Sequence, residues 1–232
     1  MDSKTITKTA YLIGGYARAG KSTVIRSLKT RGKKTYSTSC QLGEHAKLLF
    51  NVIPHELDLT SLSAKGVSWR RSDLDLCVSK VLEALKTLGF NLPSIDGDFI
   101  AFDYHRRLGC KGFYSTREVL IAVAESHRTR LPNMYVDMML KYVDLLESSI
   151  YLETIGGKEC DYLVEQLRRK GFNIKGINVR SHYEKAGVDI RKLITLDQCD
   201  ELIEFGNYAD GFDYVEQFVT EITSNNQSLC HY

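Results

Sequence analysis

Apolar positions along this chain fall into two rhythms, and their alternation predicts its architecture. Ala10 to Ile13 form a short apolar run that reads as a buried strand, followed by a helix over Ser22 to Lys29 that Gly32 ends. Lys33 to Ser39 reads as a second strand. Gln41 to Val52 then carries Leu42, Ala46, Leu49 and Phe50 at helical spacing, broken before Pro54, and Glu56 to Ser68 is a polar loop. From Arg71 to Leu88 the series Leu74, Cys77, Val78, Val81, Leu82, Leu85 predicts one helix, with Asp73 and Asp75 in its first turn and Gly89 past its end.

Between Phe90 and Phe113 the pattern loses its rhythm, because Pro93, Gly97, Gly109 and Gly112 cut it into short pieces. Asn91 to Phe113 therefore reads as an insertion or a mobile cover. Order returns at Ser115, which with Glu118 has the spacing of a capping box before a helix over Thr116 to about Glu125. A further helix is expected from Pro132 to Ser148, with Tyr135, Met138, Met139, Tyr142 and Leu146 as one apolar core stripe. The last third alternates cleanly: a strand at Ile150 to Thr154, a helix at Lys158 to Lys170 stopped by Gly171, strands at Ile174 to Val179 and Leu202 to Phe205, and a closing helix at Phe212 to Ile222. The polar end from Ser224 to Tyr232, and its last residues 224–232 above all, reads as a frayed tail.

Strand and helix in alternation imply an α/β fold, a parallel sheet flanked by helices on both faces. The length suits one domain spanning 1–232, with a helical insertion at about 55–148. A net charge of +2 excludes the global basic field of a non-specific nucleic-acid binder. Six cysteines without a CxxC pair point to reduced thiols rather than a disulfide frame or a zinc site. No stretch reads as a signal region or membrane span, so the expectation is a soluble cytoplasmic protein without a membrane partner, in the host cytoplasm if viral.

The chemistry begins at the end of the first strand. Gly15-Tyr16-Ala17-Arg18-Ala19-Gly20-Lys21-Ser22 is a complete phosphate-binding loop, followed by Thr23, and it has the strand before and helix after that such a loop needs. Glycines let the backbone curl so that N–H groups point inward, and the following helix adds the positive end of its dipole. Lys21 would reach the β- and γ-phosphate oxygens of ATP, Ser22 would bind magnesium, and Arg18 adds positive charge. This is the donor half of a P-loop NTPase or nucleotide-kinase fold; the loop is silent on the acceptor.

In such a sheet ligands sit beyond the carboxyl ends of the strands. Three segments converge there: Gln41 to Lys47, the strand end at Glu153, and Arg180 to Arg191. Glu153 closes an apolar run, where a carboxylate can hold magnesium or pair with Lys21. Basic residues gather at Lys47, Arg70, Arg71, Arg106, Arg107, Arg117, Arg128 and Arg130. For the Arg70/Arg71 and Arg106/Arg107 pairs a solvated basic face is the plainer explanation. Arg117 stands out, because a cation in the first turn of a helix opposes the dipole unless an anion is near. Glu44 could take a proton from a hydroxyl acceptor, whereas a phosphate acceptor needs no base.

These residues together resemble the phage-type deoxynucleoside monophosphate kinases, a branch of the P-loop kinases. The resemblance rests on the loop GGYARAGKST, the segment Gln41-Leu42-Gly43-Glu44-His45-Ala46-Lys47, the helix Thr116-Arg117-Glu118-Val119-Leu120, and Arg128 ahead of Tyr135-Val136. Glu153-Thr154, Glu159 and Asp200-Glu201-Leu202-Ile203 to Asn207 extend it. It implies that Lys47, Arg117 and Arg128, with Arg130 beside them, bind the acceptor phosphate. The chain departs from the family at Ile155, where an arginine is common, and at the SHYEKAG segment.

The expected activity is transfer of the ATP γ-phosphoryl group, with magnesium, to a deoxynucleoside monophosphate, with Lys21, Arg117 and Arg128 as catalytic cations. Two alternatives stay open. One is a kinase of a hydroxyl, on a nucleoside or on 5-hydroxymethyl-deoxyuridine in DNA, with Glu44 as base. The other is a nucleotide-binding regulatory ATPase. The partner is a nucleotide substrate, with DNA only under the first alternative, and there is room for a homodimer.

Overall fold

Five strands drawn from the two ends of the chain pair into one parallel sheet. The computed structural model describes residues 8–15, 19–59, 61, 64, 66–144, 146–153, 157–180, 193–206 and 212–224, the side chains of 212–214 excepted. Residues 1–37 with 142–232 form one compact unit, and residues 38–141 form a second.

In the first unit the strands are β1 (Lys8–Gly15), β2 (Thr35–Ser37), β5 (Ser149–Glu153), β6 (Phe172–Arg180) and β7 (Glu201–Gly206), in the order β2-β5-β1-β6-β7. Every pairing is parallel, so β1 lies in the middle, with Ile13 opposite both Glu153 and Ile177. The period-two alternation turns Tyr11 and Ile13 to one face, where helices α1 (Lys21–Thr30) and α8 (Phe212–Ser224) cover them with Val24, Leu28, Val215, Phe218 and Val219. Phe218 stacks on Phe205 with ring centroids 4.1 Å apart. Helix α7 (Gly157–Arg169) packs against β6 through Cys160, Leu163, Val164 and Leu167, all buried, each aliphatic one worth on the order of 2 kcal/mol. Gly171, at φ 81°, ends it as expected. The first unit is thus an α/β fold, a five-stranded parallel sheet flanked by helices, with the strand that leads into the phosphate-loop sequence at its centre.

The second unit is helical: α2 (Thr38–Leu49), α3 (Val78–Thr87), α4 (Ser94–Leu108), α5 (Thr116–Arg128) and α6 (Met134–Leu140), with a hairpin of β3 (Ser68–Arg70) and β4 (Phe113–Ser115). The capping box is present: the Glu118 N–H donates to Ser115 Oγ, and the Ser115 N–H donates to Glu118 Oε2 at 2.9 Å. Helix α3 ends in a Schellman turn at Gly89 (φ 85°), with Phe90 N–H reaching the Leu85 carbonyl at 2.8 Å.

Several elements differ from the expectation. The second strand is short, since Thr38 and Ser39 open α2 instead of extending β2. The helix expected from Arg71 is a 3₁₀ turn over Arg71–Leu74, then extended chain at Asp75 and Cys77, then α3. Leu74 and Leu76 are both buried, and residues two apart share a face on a strand, not on a helix. Asn91 to Phe113 is not cut into short pieces: it contains α4, with Ile100 and Tyr104 fully buried. Gly97, read as a breaker, lies inside this helix where an added Cβ would come within 3.0 Å of Leu82. The helix expected to run to Ser148 stops at Leu140; Tyr142 is 67% and Leu146 91% exposed, so neither is core.

Candidate active site

Unit one carries the residues expected to bind the phosphoryl donor. Gly15 ends β1 at φ 136°, and a Cβ there would sit 2.4 Å from the Val179 carbonyl of the neighbouring strand, so only glycine fits. Gly20 caps α1 in the left-handed region at φ 99°, with no side-chain cap and no acidic residue in the first turn. Among the described residues, the helix start thus carries no compensating negative charge of its own. Lys21 Nζ donates to the Gly15 carbonyl at 2.6 Å, spanning the loop from its last residues to its first. Ser22 is exposed in the first turn of α1, and Glu153 is half-buried at the end of β5. Both offer hard oxygen ligands, the donor set that magnesium takes.

Beside them the sequence reading missed a lock. Asn178 on β6, 1% exposed, donates to the Ile194 carbonyl and to Glu204 Oε1, both at 2.9 Å, and accepts from the Ile194 N–H at 2.9 Å. Arg180 Nε donates to the other Glu204 oxygen at 2.7 Å. The available signal was an asparagine between the apolar Ile177 and Val179 of that strand. Tyr16, Ala17 and Arg18 of the loop, Ile155 and the segment from Ser181 to Arg191 lie outside the described residues.

Unit two holds the residues expected to face the acceptor. Lys47 is 7% exposed, and its ammonium donates to Glu44 Oε1 at 2.8 Å and to the His55 carbonyl at 2.7 Å, pinning the turn after α2. The Glu44 side chain is 62% exposed. On α5, Arg117 is exposed in the first turn, and Arg128, near the other end, donates to Glu125 at 2.8 Å and lies 5.8 Å from the Tyr135 ring centroid. Helix α5 thus carries these two arginines at opposite ends. Arg130 is held by Asp96 at 3.2 Å and stacks over Phe99 at 4.1 Å.

The arginine pairs are mostly structural. Asp103, 2% exposed, accepts from Arg107 Nε at 2.6 Å and also from Arg106. Burial pushes its carboxyl up, but the two guanidinium groups outweigh this and hold it below the usual carboxylate range. Arg71 donates to His105 Nδ1 at 2.8 Å, while His105 Nε2–H donates to the Leu76 carbonyl at 2.9 Å, which fixes a neutral tautomer. Arg70 is exposed.

Among the described residues, no helix is long and apolar enough to cross a membrane. No family model and no curated protein matches the chain. Among solved structures it is similar to an unliganded sugar kinase from Janibacter sp., at 10% identity and a TM-score of 0.33, over 94% of this chain and 95% of that one.

Proposed function

We propose that the chain is a magnesium- and ATP-dependent phosphotransferase acting on a deoxynucleoside monophosphate. The observation that carries the reading is the donor half. A complete phosphate-loop sequence leaves the central strand of a parallel sheet and enters an uncapped helix, with the Lys21 ammonium reaching across the loop. When ATP binds, Lys21 exchanges the Gly15 carbonyl for β- and γ-phosphate oxygens. Ser22 and Glu153 would hold magnesium, which neutralises charge between those phosphates.

Arg117 and Arg128 are the cations proposed to bind the acceptor phosphate and the equatorial oxygens in transit. Catalysis is then positioning and charge neutralisation. Lys47 spends two of its N–H donors within its own turn. A second reading is a hydroxyl acceptor with Glu44 as base, which would require the exposed Glu44 carboxylate to leave Lys47. The DNA version of that reading loses support, since Arg106 and Arg107 serve Asp103.

The test is ATP consumption with magnesium against deoxynucleoside monophosphates, nucleosides and hydroxymethyl-containing DNA, with Lys21→Ala as control. Turnover that needs a monophosphate and falls at least about 100-fold in Arg117→Ala is the expected result. Phosphate on a nucleoside or on DNA would move the assignment to the hydroxyl reading. Slow hydrolysis that no acceptor accelerates would leave a regulatory ATPase.

A further inference from the structure

At the heart of the second unit two imidazoles lie buried against each other. His45 on α2 and His127 on α5 are each 0% exposed, with ring centroids 4.5 Å apart and planes at 84°. His127 Nδ1–H donates to the Val123 carbonyl at 2.8 Å and also lies 3.3 Å from Ser126 Oγ. His45 Nδ1 lies 3.3 Å from the Tyr135 hydroxyl on α6. Among the described residues, the Nε2 atoms of both rings are buried without a hydrogen-bond partner.

We propose that this pair is an acid-sensitive brace: α2, α5 and α6 stay packed only while both rings are neutral, and a proton entering the pair releases α2 from α5. A protonated ring needs an acceptor at each nitrogen, and each Nε2 faces none. The charges near the pair are already used. Glu44 and Lys47 on α2 pair with each other, as do Glu125 and Arg128 on α5. Helix α6 brings the Tyr135 hydroxyl and the half-buried Asp137, and α3, also packed on α2, turns Val81, Ala84 and Leu85 inward. Burial pushes both imidazoles down, His127 to about 4, and the neighbouring ring lowers His45 further.

The sign follows from linkage. An unfolded imidazole titrates near about 6.5, so the packed state is fully stable above that pH and weakens as pH falls toward the folded values. With two such groups the packing equilibrium shifts by up to about 100-fold per pH unit in that window. Glu44 and Lys47 leave with α2 while Arg128 stays on α5. Loss of acceptor binding in acid rests on the proposed function; the brace does not.

Hydrogen exchange of the whole chain, corrected for intrinsic rates, reads the two units separately. Amides of 38–49 and 116–128 should lose protection steeply below about pH 6, while those of β1 and β6 hold. His45→Phe combined with His127→Leu should flatten that slope. Equal slopes in both units, or a slope that survives in the double variant, would overturn the proposal. Should that variant not fold at neutral pH, the imidazole resonances of the wild-type protein decide: rings neutral until α2 opens support the brace, and rings titrating near about 6.5 in the packed protein refute it. Because exchange is read without nucleotide, an inactive protein with an intact brace would sink only the kinase reading.

Discussion

Replacing Gly97 by alanine sets helix propensity against packing, and the distances decide the sign. Inside a helix alanine is favoured over glycine by about 1 kcal/mol. The new Cβ, however, meets Leu82 Cγ and Cδ2 at 3.0 Å and Val78 Cγ1 at 3.1 Å. Carbon atoms rest at roughly 3.5–4.0 Å, so the methyl intrudes on both residues of α3, and overpacking of this size costs about 1–3 kcal/mol. Leu82 and Val78 are half-buried and can yield somewhat, which puts the steric cost near about 2 kcal/mol and the net loss near about 1 kcal/mol. Leu82→Ala removes two of the three contacts. In that background Gly97→Ala should be neutral or stabilising, a coupling of about 1–2 kcal/mol. Trp69, the only tryptophan and buried in the second unit, reports urea unfolding of that unit for all four proteins. Gly112, where a Cβ meets nothing within 4 Å, is the control. A Gly97→Ala protein about 1 kcal/mol more stable than wild type, or strict additivity, would refute the close helix crossing.

Other expected outcomes follow from the same unit. Asp103→Asn should cost about 2 kcal/mol, because Arg106 and Arg107 lose a buried carboxylate. The carboxyl is depressed in the folded state, so its contribution is present above the ordinary carboxylate range and fades as pH falls through the folded value; the variant should lack that part of the acid dependence in urea titrations. Ser115→Ala removes the side-chain half of the capping box and should cost about 1 kcal/mol, read by the same tryptophan. Cys77 is exposed beside Ser79, whose hydroxyl lies 3.1 Å from the thiol and lowers its titration. Alkylation near neutral pH, followed by peptide mass analysis, should modify Cys77 faster than Cys110 and slow at Cys77 in Ser79→Ala.

The first unit was largely legible in the sequence, because the middles of β1 (Ala10 to Ile13) and β5 (Ile150 to Leu152) are apolar runs and α7 buries one clean stripe. The phosphate-loop sequence is recognised from residue types at fixed spacing, and the structure describes its two ends, Gly15 and Ala19 to Ser22. Unit two resisted for physical reasons. Its hairpin strands span only Ser68–Arg70 and Phe113–Ser115, too short for alternation to register. Gly97 reads as a breaker because a sequence shows the cost of glycine in a helix but not the neighbour that requires it. Tyr142 and Leu146 continue the rhythm of α6 beyond the second unit, where Asp144 and Glu147 pair with Lys34 instead. The sequence shows Lys47 and Arg130 as cations, but not the His55 carbonyl and the Phe99 ring that engage them, because such contacts are set by the fold and leave no mark in composition.

Asp144 and the end of β2 carry a further implication. The Tyr36 hydroxyl accepts from the Asp144 N–H at 3.1 Å, and Lys34 grips the Asp144 carboxylate at 3.0 Å. The points where the chain leaves the first unit and rejoins it are therefore stitched side by side. For an evolving gene, that makes Ser37 and Tyr142 a matched pair of splice points. Whatever is carried between them can be lengthened, shortened or exchanged without redrawing the sheet, so the helical unit and the parallel sheet can diversify on separate schedules.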